Sequence, residues 1–245
     1  MSPGQEAFLR KLNGLVDFFT GGDAADVGVK GFFSGGIPAV LLRVTIALFL
    51  YFVLPNLLCR HRPRVMRRIF TFDDGPTPGI TERVLDLLDA AGERAIFFVL
   101  SEKALAHPEL IREIQERGHE IGFHGEKHVL LPKLFPVAEW TSLSRGLASV
   151  RSMARVRFFR PPHGTWTLTT LFFSISHGLI PFHWSKLVAD WENPATDELV
   201  RRLRAIDGPT TVFVLHDGTE GEAHPDAAAN MPAALEAFLQ LPKMP

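Results

Sequence analysis

Five places in this 245-residue chain put acids, histidines or an arginine at or soon after the end of a short apolar run. Asp73-Asp74 follow Ile69–Phe72, and Gly75-Pro76 then stop any strand. His124 follows Glu120–Phe123, with His128 beyond Gly125-Glu126-Lys127. Arg160 follows Phe158-Phe159 and opens Arg160-Pro161-Pro162-His163-Gly164. Asp190-Trp191 come after Ile180–Trp184, and His216-Asp217 close Val212–Leu215. One histidine at a strand end is usually structural, but five polar ends in one chain point to a shared site. Two imidazoles and one carboxylate, with positions left open for water, form a catalytic divalent-metal set that suits zinc, with cobalt and nickel as alternatives. HxxxH alone is a weak signal, because many such pairs are surface residues. Its weight comes from its place after a strand, with two acids at another strand end.

The elements that must position these groups alternate. Strands are expected at Ile69–Phe72, Ala95–Leu100, Glu120–Phe123, Arg157–Phe159, Ile180–Trp184 and Thr211–Leu215. Helical patterns lie at Thr81–Ala91, Pro108–Arg117, Pro136–Met153, Leu168–Ser176, Thr196–Ala205 and Ala233–Leu239. Glycines Gly92 and Gly118 stop two of the helices. Such alternation means βα units around a parallel sheet or barrel. The fold class is α/β, a distorted (β/α) barrel with fewer than eight repeats over residues 68–245. In such barrels the chemistry sits at the C-terminal strand ends, so the polar residues above would share one rim.

Residues 1–67 read differently, as a membrane-associating segment. Ile37–Leu58 is apolar and about the ~20 residues needed to span a bilayer. A helix packed on the catalytic domain is the competing reading. Arg60, Arg62, Arg64, Arg67 and Arg68 follow the run, and only Lys30 precedes it closely. The positive-inside rule then places the catalytic domain on the cytoplasmic side of the cell membrane. Upstream, Phe8, Leu9, Leu12, Leu15, Val16 and Phe19 recur at helical spacing, as in an interfacial amphipathic helix. A cleaved signal peptide is not expected, since too much chain precedes the run. The formal net charge of −1 gives no support for a nucleic-acid partner. One cysteine, Cys59, excludes an intrachain disulfide. Oligomeric state has no signature here. Val129–Phe135 and Leu171–Ser176 are also apolar, and read either as packing or as a surface resting on lipid near the site.

The runs TFDDGP, HGEKH, RPPHG, DW and LHD, in this order, resemble the five motifs of the polysaccharide deacetylase family, also called the NodB homology domain or carbohydrate esterase family 4. The resemblance covers about Arg68 to Leu239. It implies a metal-dependent hydrolase that removes an N-acetyl group from an amino sugar in a glycan or lipid-linked saccharide. It implies Asp74, His124 and His128 as metal ligands, and Asp73 as the general base, with Arg160 orienting it. His216 would protonate the leaving amine, with Asp190 tuning it. The backbone N–H of His163 would hold the oxyanion, and Trp191 and Leu215 would wall the acetyl methyl. Gly125 stands where the family has Ser or Thr, His163 where it has an aromatic, and Leu187 where an acid is frequent. These departures bear on substrate choice. The favoured substrate is a lipid-linked acetylated amino sugar at the membrane. Peptidoglycan or another external glycan, a formylated lipid-linked sugar, and an inactive barrel acting as a membrane-bound carbohydrate-binding module are the alternatives.

Overall fold

The computed structural model describes residues 45–55, 68–130 and 136–242. The chain divides into two units, residues 1–54 and 55–245. In the first, the described part is helical and contains a π-helical turn at Phe49–Val53. Ile46, Leu48, Phe49 and Val53 are exposed there. No helix among the described residues is long and apolar enough to cross a membrane. Most of the expected span, the amphipathic stretch Phe8–Phe19, the arginines at 60–67 and residues 131–135 lie outside the described residues.

The second unit is built on six parallel strands: β1 (Ile69–Asp73), β2 (Ala95–Leu100), β3 (Glu120–Gly125), β4 (Val156–Phe159), β5 (Ile180–Pro181) and β6 (Val212–His216). Their spatial order is β5-β4-β3-β2-β1-β6. Between them run α1 (Thr81–Ala90), α2 (Ser101–Ala106), α3 (Pro108–Glu116), α4 (Pro136–Arg151), α5 (Leu168–Ser176) and α6 (Thr196–Ile206), and α7 (Ala227–Leu239) ends the array. This is the distorted βα barrel with fewer than eight repeats that the alternation predicts. The gap between β5 and β6 is crossed by Ser185. Its N–H donates to the Val212 carbonyl at 3.0 Å, and its Oγ accepts from the Val212 N–H at 2.9 Å.

Every residue of β2 is buried, because helices cover one face of a parallel strand and the barrel interior the other. Ile96, Phe98, Phe182 and Val212 fill that interior, with Ile69, Phe158 and Trp184 packed against them. Phe98 needs Gly122 opposite, since a Cβ there would lie 2.5 Å from its ring. On the outer faces Phe70 stacks on Phe213 at 4.8 Å and Phe72 on Phe97 at 5.1 Å. Each fully buried phenylalanine contributes about 2 kcal/mol.

Three elements depart from expectation. β5 covers two residues instead of Ile180–Trp184, because Phe182 and Trp184 turn into the barrel. α2 is a one-turn addition before the Pro108 helix. α7 begins at Ala227, although Pro232 reads as a barrier to helix. The proline occupies the second turn, so it forfeits only one intrahelical bond.

Candidate active site

All five polar strand ends meet at the C-terminal rim. One pocket of about 620 Å³ is lined by Asp73, Asp74, His124, His128, His163, Trp191 and His216, among others. Asp73 is the inward residue at the end of β1, beside His216 on β6 in the strand register. A regular strand would aim Asp74 at the opposite face. Instead Asp74 adopts φ 71°, a left-handed turn that acids tolerate better than most residues. The strand therefore breaks at the second aspartate itself, and both carboxylates enter the pocket. His124 sits in a β-bulge: Val99 pairs with Phe123 and Leu100 with Gly125, leaving the histidine as the extra residue. Bulges beside active sites re-aim a side chain in this way.

Asp73 is fixed from below. Buried Arg160 donates from Nη1 to Asp73 Oδ1 at 2.6 Å and to Thr71 Oγ1 at 2.9 Å. Its Nε donates to the Phe182 carbonyl at 3.2 Å, and its guanidinium lies 4.2 Å above the Phe98 ring. On the other side, Asp190 accepts both the His216 ring Nδ1–H at 2.9 Å and the His216 backbone N–H at 2.8 Å. That leaves Nε2 of His216 for the pocket. Burial lowers the His216 pKa, but Asp190 more than offsets it, and the imidazole is raised to about 10. Asp190 follows Ala189 in a left-handed conformation, φ 54°.

Asp74, His124 and His128 form a group whose ligand atoms lie within 4.8 Å of one another. Asp74 Oδ1 is 3.2 Å from His124 Nε2 and 3.6 Å from His128 Nε2. His124 Nδ1 is 2.8 Å from the Arg160 carbonyl, which assigns the ring proton to Nδ1 and leaves the Nε2 lone pair facing the carboxylate. Asp74 Oδ1 is buried without a hydrogen-bond partner. Burial raises the Asp74 pKa, yet His124, His216 and His128 around it together outweigh burial and hold the carboxyl well below its usual range. Burial takes His128 down to about 4, so this ring is neutral at neutral pH. An acidic carboxylate oxygen facing two imidazole nitrogens in a buried corner fits a divalent cation.

His163 lies beside His128, with ring centroids 4.3 Å apart, and lines the pocket. Trp191 also lines it and meets the His216 ring edge-on at 5.4 Å. Leu215 does not. It is fully buried on the outward side of β6, and Val214 lines the pocket in its place. The alternation of the strand decides this, since His216 already faces inward and its neighbour must face out. The sequence reading missed Trp184 as a pocket residue, whereas Leu187, singled out there as a departure from the family pattern, does line the pocket. Trp184 rests on Gly164, where a Cβ would fall 2.1 Å from the ring. A tryptophan closing the expected strand Ile180–Trp184 carried no signal of this role. His224 lines the pocket as well. Glu126 is not a loosely solvated acid: Arg145 pairs with it at 2.6 Å and Ser142 Oγ donates to it at 2.7 Å, which anchors the histidine loop to α4.

With this geometry in view, the comparisons with known proteins are decisive. A family sequence model described as polysaccharide deacetylase matches residues 63–181. A chitooligosaccharide deacetylase of Bradyrhizobium sp. (strain ANU 289) is 38% identical over 151 residues, covering 60% of this chain and 69% of the relative. The chain belongs to the polysaccharide deacetylase family. It is a hydrolase of the deacetylase type, and Asp74, His124 and His128 are grouped where they could hold a divalent metal. Among solved structures, a peptidoglycan deacetylase from Bacillus subtilis superposes with a TM-score of 0.62 at 23% identity, covering 73% of this chain and 84% of that one. A family 4 pseudoenzyme from Bacillus anthracis gives 0.63 at 18% identity, covering 73% and 60%. The fold is thus shared with a protein described as a pseudoenzyme, and the case for this chain's own chemistry rests on its residues.

Proposed function

We propose that this polysaccharide deacetylase hydrolyses the acetamide of an N-acetylated amino sugar, with Asp73 as base and His216 as acid. The observation that carries the assignment is the pairing of two oppositely prepared groups on neighbouring strands. Arg160 holds Asp73 as an acceptor, and Asp190 holds His216 as a donor. Asp74, His124 and His128 would hold the divalent ion, and the two-nitrogen, one-oxygen donor set favours zinc. When bound, such an ion acidifies water and polarises an amide carbonyl. Asp73 takes the proton of the attacking water, and the new C–O bond forms at the acetyl carbon. His216 delivers its proton to the sugar nitrogen as the C–N bond breaks. The backbone N–H of His163 is assigned to the developing oxyanion. Trp191 and Val214 supply apolar walls for the methyl. The products are acetate and a free amino sugar.

Relatives are described as acting on chitooligosaccharides and on peptidoglycan N-acetylglucosamine, and an N-acetylglucosamine oligomer is the substrate class assigned to this chain. The test is acetate release by the purified, zinc-loaded protein from such oligomers, beside Asp73→Asn and His216→Ala. Wild-type release that both variants lack supports the reading, and release by either variant at the wild-type rate refutes it.

The second reading, a lipid-linked amino sugar reached at the membrane, is supported by the exposed Leu48, Phe49 and Val53 of the first unit and by the arginines that follow. Carbonate extraction of membranes and a C-terminal reporter test it. Full release by carbonate, or a reporter active only outside the cytoplasm, removes it.

A further inference from the structure

The Asp74 turn is gripped by groups that take no part in the chemistry above. Lys103, in α2, donates from Nζ to the Asp74 backbone carbonyl at 2.8 Å. Gly218 backs the same carbonyl so closely that a Cβ on it would lie 2.1 Å from the oxygen. The next residue, Gly75, faces Asp217: a Cβ on Gly75 would lie 2.2 Å from Asp217 Oδ2. Asp217 is itself buried, and Thr81 Oγ1 donates to its Oδ2 at 2.6 Å. Its backbone N–H reaches the Asp73 carbonyl at 3.2 Å, and Leu100 N–H reaches the Gly75 carbonyl at 3.0 Å. A left-handed aspartate is a strained choice that surrounding structure must enforce. A buried carboxyl with one oxygen, Oδ1, lacking a hydrogen-bond partner is costly as pure scaffolding.

We propose that Lys103 and Asp217 are positioning residues that clamp the Asp74-Gly75 turn, and so aim the Asp74 carboxylate at His124 and His128. Lys103 draws the Asp74 carbonyl away from the pocket, which rotates the side chain into it. Asp217 occupies the space that a regular strand residue after Asp74 would need. Lys103 also pairs with Glu220 at 2.6 Å, a pocket-lining residue of the β6–α7 connection. The clamp therefore joins the metal-ligand turn to one wall of the pocket.

This rests on the metal-site reading, and zinc affinity of the full chain tests both separately, by competition with a chromogenic chelator. Lys103→Met and Asp217→Ala should each weaken zinc binding by about tenfold or more, the range seen when groups that orient metal ligands are removed. The melting temperature of their metal-free forms should stay near wild type. Excess zinc should restore kcat in Lys103→Met, and Lys103→Arg should keep most of the affinity. Gly75→Ala should lose zinc, and Gly75→Ala with Asp217→Ala should regain part of it. Wild-type zinc affinity in Lys103→Met and Asp217→Ala would overturn the clamp. So would a fall in metal-free melting temperature that accounts for the whole loss of binding. Zinc retained at full affinity by His124→Ala would instead refute the metal site, and the clamp with it.

Discussion

Asp73 and Asp74 are adjacent in sequence, yet one faces Arg160 and the other two imidazoles. Their defects should therefore separate. Asp73→Asn should bind zinc as wild type and lose about 10²- to 10⁴-fold in kcat, the usual worth of a positioned base; zinc titration beside turnover checks both halves. The second prediction concerns His216, whose pKa is raised to about 10 against the pull of burial, chiefly by Asp190. A raised pKa keeps the imidazolium, the proton donor, present through neutral and mildly alkaline pH. Asp190→Asn removes the charge that raises it, so the alkaline limb of kcat should move to lower pH. An unmoved limb would assign it to another group. The motif residues were legible because their chemistry restricts residue type. Val214 and Trp184 were not, because apolar walls tolerate many side chains, and only strand alternation or tertiary packing reveals which one faces in.

The sheet has two ends with different tasks. At the end away from the pocket, His119 Nδ1 accepts the Ala95 N–H at 3.2 Å, tying the start of β3 to β2. Burial takes this ring down to about 4, from 6.5, against the pull of Asp89 and with Arg94 and Arg117 adding to the fall. The unfolded chain therefore binds a proton near pH 6.5 that the folded one refuses until about pH 4. The stabilising effect is complete above pH 6.5 and is lost as pH falls toward 4, by up to about 3 kcal/mol. His119→Gln should flatten the pH dependence of the urea midpoint across that window. Element types along the barrel were readable from alternation and glycine stops. The boundaries failed where local rules met tertiary demands: at Pro232, which helix rules alone reject, and at Phe182–Trp184, where the interior took side chains that look like strand.

For the whole molecule, zinc at the proposed site should act as a stabilising ligand of the native state only, since Asp74, His124 and His128 come from two strand ends and the loop after β3. At about 1,000 times its dissociation constant it should add about 4 kcal/mol, and a chelator should lower the melting temperature accordingly. No upward shift with zinc would argue against a preformed site. In the barrel eight phenylalanines are fully buried, so an apolar composition is not by itself an argument for a membrane. The strand order also sets a schedule. β1 is flanked by β2 and by β6, the strand made last. As the polypeptide leaves the ribosome, Asp74, His124 and His128 are all available long before His216 is synthesised. Asp217, which aims Asp74 in the proposed clamp, is made directly after His216, so tight zinc binding and turnover should both wait until the final strand docks beside the first. In pulse refolding, the recovery of tight zinc binding should coincide with the recovery of acetate release.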